Sequence, residues 1–387
     1  MNHRIIISLA FLFSVFFCLS CLDSNHKTNA DTIYALIPSY IKDSIYLSPV
    51  NPFSHEKANL GRYFFYDRRM SVNQTKSCAS CHDPQFSFTD NYRKSIGASG
   101  DNVQHNALPL LNIVFNKYLT WADSSIHYPE EQMQNPMFHD DPVELGWKGN
   151  ELRIIARLKK DDLYTHEMTV LFPGDKEPFS TGNIQSCIAS FVKTILSLHA
   201  PYDEYRYQNR QTLSSSAMKG MKLFFSKELK CAVCHGGTNF STSSFSNVDG
   251  RTENYLNTGL YNIDGKGSYP AGDPGLIQFT HKNNDMGKYR VPTLRNLAFT
   301  APYFHDGTAE NLEDVVTHYE NGGRVNKQGR ETEEGRKNPY KNPLISGFRL
   351  TSQERKDLVN FLLSLSDSSV LNNSKYSNPF TEDETKK

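Results

Sequence analysis

Cys78-Ala79-Ser80-Cys81-His82 and Cys231-Ala232-Val233-Cys234-His235 decide the reading of this 387-residue chain. Each run sets two thiols three positions apart with a His directly after them. Covalent attachment of a c-type haem requires that arrangement: the thiols add to the haem vinyl groups and the His becomes an iron ligand. For a chain with seven Cys and thirteen His, chance supplies only about 0.004 such runs, so two of them are not an accident of composition. Cys78, Cys81, His82, Cys231, Cys234 and His235 are therefore the expected attachment sites of two haems.

Two rival chemistries use Cys pairs. A zinc ribbon places its pairs ~15–20 residues apart, whereas these stand at 78 and 231. A thioredoxin-like redox pair sits beside a βαβ pattern and has no need of the adjacent His. Both runs here fall among helical signals, each preceded by a Phe-Phe step, Phe64-Phe65 and Phe224-Phe225. A di-haem protein is the expectation.

Lys plus Arg and Asp plus Glu each number 42, so the charge is balanced and no electrostatic argument for nucleic acid arises. The length suffices for two cores, each wrapping one haem. At the N-terminus, Arg4 precedes an apolar stretch from Ile5 to Leu19, short for a membrane span and right for an export signal. Leu19-Ser20-Cys21 resembles a bacterial lipoprotein cleavage site, which makes Cys21 the expected lipidation site and residues 1–21 a signal peptide. The protein is then expected in the periplasm or cell envelope, tied to the membrane by lipid. Cys187, on one helical face with Ile184, Ile188 and Phe191, reads as a buried inert thiol.

The pattern along the chain is mostly α, with two cytochrome c-like domains and long haem-wrapping loops. Helical spacing covers 149–172 and 183–205, and Lys219 to Lys227 is an amphipathic lead into the second haem run. Thr351 with Glu354 forms a capping-box signature ahead of Leu358, Phe361, Leu362 and Leu365. Loops at 83–106, 236–289 and 322–347 are rich in Gly, Asn, Ser and Pro, as haem wrapping requires. The expected division is a tether at 22–44, an N-terminal domain at 45–208, a C-terminal domain at 209–366 and a disordered tail at 367–387.

Four further segments carry a resemblance. They are Phe64-Phe65-Tyr66-Asp67-Arg68-Arg69-Met70-Ser71, Asn106-Ala107-Leu108-Pro109-Leu110-Leu111-Asn112, Tyr289-Arg290-Val291-Pro292-Thr293-Leu294-Arg295-Asn296 and Thr300-Ala301-Pro302-Tyr303-Phe304-His305-Asp306-Gly307. Through them the chain, from about 45 to 365, resembles the bacterial di-haem cytochrome c peroxidases and the related MauG-type enzymes. The resemblance implies a peroxidatic haem on His82 and a relay haem on His235. Hydrogen peroxide would be reduced to water, with electrons supplied by a small cytochrome c or cupredoxin and a homodimer as one expected assembly.

The resemblance also implies site residues. Glu144, which alone reads as a surface carboxylate, matches the distal acid–base group, and Gln132 and Pro136 match its companions. Trp121 matches an aromatic between the haems. Asn106, Thr300 and Pro302 match the ligands of a calcium ion, whose oxygen donors suit a hard cation. Tyr319, on the apolar stripe of Leu312, Val315 and Val316, matches the relay haem's sixth ligand; the position is Met in the peroxidases and Tyr in the MauG-type enzymes.

Departures matter as well. Ala98 stands where many relatives carry a His that caps the first iron, and alanine cannot ligate, so an open first iron is expected. His105, where an Arg is usual, remains a stray candidate ligand, while His139 is expected in solvent. Two alternatives stay open: a MauG-like peroxide-dependent oxidase of a protein or small molecule, and, of another class, a plain di-haem electron carrier that needs no open iron.

Overall fold

A computed structural model describes residues 33–41, 45–244, 253–325 and 333–380. The signal region with Cys21, residues 22–32 and residues 381–387 lie outside them. Helix dominates the described residues. The longer helices are α1 (His55–Tyr66), α2 (Glu151–Leu158), α3 (Asp162–Leu171), α4 (Thr181–Lys193), α5 (Pro201–Gln208), α6 (Ser215–Phe224), α7 (Leu312–Glu320) and α8 (Ser352–Leu363). Among the described residues one sheet occurs, in which β1 (Tyr255–Leu256) pairs antiparallel with β2 (Tyr289–Arg290).

Serine and threonine hydroxyls start the helices by accepting a backbone N–H of the first turn. Ser54 takes Lys57 N at 3.1 Å, Ser180 takes Asn183 N at 3.2 Å and Ser214 takes Ala217 N at 3.1 Å. The expected capping box of α8 is present: Glu354 N donates to Thr351 Oγ1 at 3.2 Å, and Thr351 N to Glu354 Oε2 at 2.8 Å. Between 149 and 172 the single periodic stretch divides into α2 and α3, because Asp161 caps a new helix by accepting Leu163 N.

Two crossed helix pairs, α1 with α4 and α6 with α8, form the frame. Each pair meets at a glycine. A Cβ on Gly61 of α1 would overlap the Cys187 carbonyl of α4, and one on Gly220 of α6 would overlap the Asp357 carbonyl of α8. Backbone therefore touches backbone at both crossings. Around them sit two apolar cores, one holding Phe64, Phe65, Ile184 and Phe191, the other Phe224, Phe240, Leu358 and Phe361. Each fully buried aromatic contributes ~1.5–3 kcal/mol. Cys187 is fully buried in the first core, as expected, and burial pushes its thiol up to about 12.

The expected boundary near residue 208 is bridged, and two further expectations about organisation need correction. Helix α5, assigned to the N-terminal domain, sends Tyr202 into the second core and binds across to it: Arg295 donates two hydrogen bonds to Asp203, at 2.8 and 2.9 Å, with both side chains fully buried. The expected disordered tail is ordered to residue 380. Val370 and Tyr376 enter the first core, and the Tyr376 hydroxyl donates to Thr194 O at 2.8 Å, satisfying a polar group that a disordered chain leaves to water. Part of the expected tether, at 33–41, packs through Ile33, Ile37 and Ile41 against Phe53 and Phe115.

Candidate haem sites

The two Cys-x-x-Cys-His runs adopt matching local geometry. The first opens with a 3-10 turn, Cys78–Ser80, and its Cys78 carbonyl accepts the N–H groups of Cys81 at 3.2 Å and His82 at 3.0 Å. The second forms the short helix Cys231–Cys234, and His235 N bonds Cys231 O at 2.9 Å. This tight turning brings both thiols and the imidazole to one side.

Each imidazole is then oriented by a carbonyl. His82 Nδ1 lies 2.8 Å from Phe88 O, and His235 Nδ1 lies 3.1 Å from Phe240 O. A carbonyl only accepts, so Nδ1 carries the hydrogen and Nε2 keeps the lone pair that a metal needs. Burial pulls both histidines below the usual range, His235 to about 4, which keeps them in the neutral ligating form. Phe88 and Phe240 are buried residues with positive φ, 62° and 49°, conformations that turn their carbonyls back onto the rings.

Burial pushes the four thiols up, Cys78 and Cys231 to about 12 and Cys81 and Cys234 to about 11. They lack the thiolate character of a redox pair. Beside the second run lies an open cavity of about 1690 Å³, solvent at its mouth included. Cys231, Cys234, His235 and Tyr319 line it among predominantly apolar walls. Oriented Nε2 lone pairs, paired thiols and an apolar slot of this size fit a covalently held haem.

Glu144 lies close enough to Cys78 and Cys81 to raise both thiols electrostatically. Burial pushes its own carboxyl up to about 7, with no other cause of comparable size. Its loop is held on several sides: Ala98 N donates to Glu144 O at 2.8 Å, Leu145 N to Pro136 O at 2.9 Å, and Val72 N to Leu145 O at 2.8 Å. Buried Trp147 anchors the loop further by donating Nε1–H to Met70 O at 2.6 Å. Ala98 and Pro136 are thus brought to Glu144 by backbone bonds. Gln132 is half-buried at the end of the short helix Pro129–Gln132, and no side-chain hydrogen bond joins it to Glu144.

Trp121 is 9% exposed, lines the second cavity and donates Nε1–H to Asn106 O at 2.8 Å. Asn106, Thr300 and Pro302 line the same cavity. The Asn106 amide uses Nδ2 on Tyr92 O at 2.9 Å, which leaves Oδ1 as an acceptor. Tyr319 lines the cavity together with Leu312, Val315 and Val316 of the same stripe, and burial raises its hydroxyl. His318, one position off that stripe, is buried as well: its Nε2 meets Thr258 O at 2.9 Å and burial pulls it down to about 4. His105 is not positioned as an iron ligand, because its Nε2 is held by Asp273 Oδ1 at 2.8 Å. His139 is exposed, as expected.

Sequence reasoning missed the carbonyls of Phe88 and Phe240, since a positive φ at a phenylalanine has no local signature. It also missed Arg290 and His305, two buried cavity-lining residues that each carry a nitrogen without a hydrogen-bond partner.

Comparison with known proteins agrees with this geometry. The family described as di-haem cytochrome c peroxidase matches residues 55–212. Methylamine utilization protein MauG of Methylorubrum extorquens is 27% identical over 315 residues, 81% of this chain and 79% of its own. Cytochrome c peroxidase Ccp of Escherichia coli K12 is 33% identical over 265 residues, 68% of this chain and 53% of its own. A solved MauG-like protein associated with microbial copper homeostasis superposes with a TM-score of 0.84 at 38% identity, covering 89% of this chain and 99% of that one. Paired thiols, oriented imidazoles and relatives over most of the length lead to one assignment: the chain belongs to the di-haem cytochrome c peroxidase family, which includes MauG, and it takes two c-type haems.

Proposed function

We propose that this protein is a peroxidase that reduces hydrogen peroxide to water. When bound, the haems would supply iron-centred electron transfer, the one held at His235 as relay and the one held at His82 as the centre that meets peroxide. Cys78 and Cys81 fix the first haem and Cys231 and Cys234 the second, while His82 and His235 present Nε2 to the irons. Glu144 takes the proton of the incoming peroxide on a carboxylate oxygen and returns it to the departing hydroxyl. A group poised near pH 7 serves both transfers. Gln132 and Pro136 shape the same pocket, and Trp121 borders the two sites. Tyr319 would also hold the second haem, through its iron.

One observation supports this reading above others: the buried Glu144 carboxyl, raised to about 7, stands by the first thiol pair with Ala98, not a His, bonded to its backbone. Alanine has no group that could ligate an iron held at His82, so a small oxidant would have access there. The purified ferric protein is accordingly expected to show a high-spin signal and to react with peroxide before any reductant is added. Two low-spin, peroxide-inert haems would instead indicate an electron carrier.

A second reading is favoured by Tyr319 in the second cavity and by the MauG-like relative at 38% identity: peroxide-dependent oxidation of a protein or small molecule. Steady-state assay with a reduced small cytochrome c or cupredoxin separates the two, since only the peroxidase turns over on such a donor alone. We further assign calcium to Asn106, Thr300 and Pro302, a homodimer, and a periplasmic location with a lipid on Cys21. Among the described residues no helix is long and apolar enough to cross a membrane. The domains follow as 45–208 and 209–366, with α5 bridging them through Tyr202 and Asp203.

A further inference from the structure

Arg290 is a cation buried without an anion. It is 5% exposed at the end of β2, where its backbone N–H donates to Trp121 O at 2.7 Å and its Nε–H to Thr120 O at 3.0 Å. Nη1 has no hydrogen-bond partner, and among the described residues no carboxylate lies within ion-pair distance. Burial pulls the guanidinium down to about 10, opposed by Tyr255 alone. An arginine remains charged under these conditions, and leaving it unpaired in the interior costs several kcal/mol. By contrast Arg295, in the same segment, is equally buried and has Asp203 as a bidentate partner.

Arg290 also lines the cavity that holds Cys231, Cys234 and His235. On the same wall the His305 ring stacks on Tyr289, the residue preceding Arg290, at 3.5 Å between centroids, and its Nε2 lies 3.5 Å from Asp273 Oδ2. Asp273 serves His305, so the unsatisfied Arg290 Nη1 is the donor that calls for an acceptor inside the cavity. A haem brings two carboxylates of its own, and the planar guanidinium fork suits a carboxylate.

We propose that Arg290 is a carboxylate-binding residue that pairs with a propionate of the second haem and holds that edge of the macrocycle against the Thr120–Trp121 backbone. The inference rests on the second haem occupying this cavity. Its consequence is electrostatic. A fixed positive charge at the haem edge favours the reduced iron, so removing it shifts the equilibrium toward ferric.

The test uses the full di-haem protein with Arg290→Gln and Arg290→Lys, both haems first confirmed by mass. The Gln variant is expected to lower the reduction potential of the second haem by about tenfold in its equilibrium, about 59 mV for one electron, with the Lys variant between it and the parent. In both, the propionate bending band in resonance Raman moves, and in the parent neither potential nor band responds to added acetate or phosphate. An unchanged potential and band in the Gln variant overturn the proposal. A parent potential that follows acetate or phosphate concentration also overturns it, by assigning the site to a free anion. If the Gln variant fails to mature, the Lys variant decides by the same two readouts. Failure of the underlying haem reading is distinct, because it appears as missing haem mass in the parent protein.

Discussion

His82 and His235 illustrate how much a single hydrogen bond decides. With Nδ1 committed to Phe88 O or Phe240 O, each ring presents one nitrogen, in one tautomer, to the space beside its thiols. The sequence announces the thiols and the imidazoles because covalent chemistry demands those residue types at that spacing. It is silent about the carbonyls, since any residue supplies one. Glu144 shows the same limit: its identity was readable only through resemblance, while the burial that lifts it to about 7 depends on the loop around Trp147 and Leu145. The sign of the resulting pH dependence is fixed by its role. As a base Glu144 must be ionised, so the second-order rate with peroxide is expected to fall about tenfold per pH unit below 7. Glu144→Gln should keep both haems yet lose 10²-fold or more of that rate, on the order of a general base's contribution, together with its acid limb. A stopped-flow pH profile checks this, and an intact acid limb in the Gln variant would remove Glu144 from the mechanism.

At the scale of elements, the two helix crossings carry the same device. Gly61 and Gly220 let one helix rest on the carbonyl of another, at Cys187 and Asp357. Any side chain there forces the pair apart and loosens the aromatic packing around Phe65 or Phe361. Gly220→Ala is expected to destabilise the protein by about 1–3 kcal/mol despite alanine's better helix propensity. Urea unfolding followed by haem absorbance measures it; a neutral or stabilising result would mean that the helices part without strain. Periodicity was a good guide to where helices run, and the capping box at Thr351 placed a start correctly. It was a poorer guide to faces. On α7 Leu312, Val315, Val316 and Tyr319 share one face toward the cavity as expected, yet His318 is buried too, because the helix is enclosed on two sides. A single sequence cannot say how many neighbours a helix will have.

Over the whole molecule, the mostly α architecture was legible in the sequence, whereas the way distant segments close on one another was not. Polar composition suggested that residues from 367 onward were disordered, and the same logic made a tether of the segment before 45. Both judgements failed where a few apolar residues among polar ones, Val370 and Tyr376 or Ile33, Ile37 and Ile41, found cores far away in sequence. Truncation after Asp367 should therefore lower the stability of the first core by about 3 kcal/mol or more, the worth of burying a Val and much of a Tyr. Differential scanning calorimetry of the truncated di-haem protein tests this, with a melting temperature equal to the parent's as the contrary outcome. The tail also has a temporal side. Synthesis proceeds from the N-terminus, so the core that forms around α1 and α4 must wait for a segment made after both helix pairs before Tyr376 can reach the Thr194 carbonyl. Until then the first cysteine pair belongs to an unfinished shell, which gives the maturation machinery an interval in which to load it.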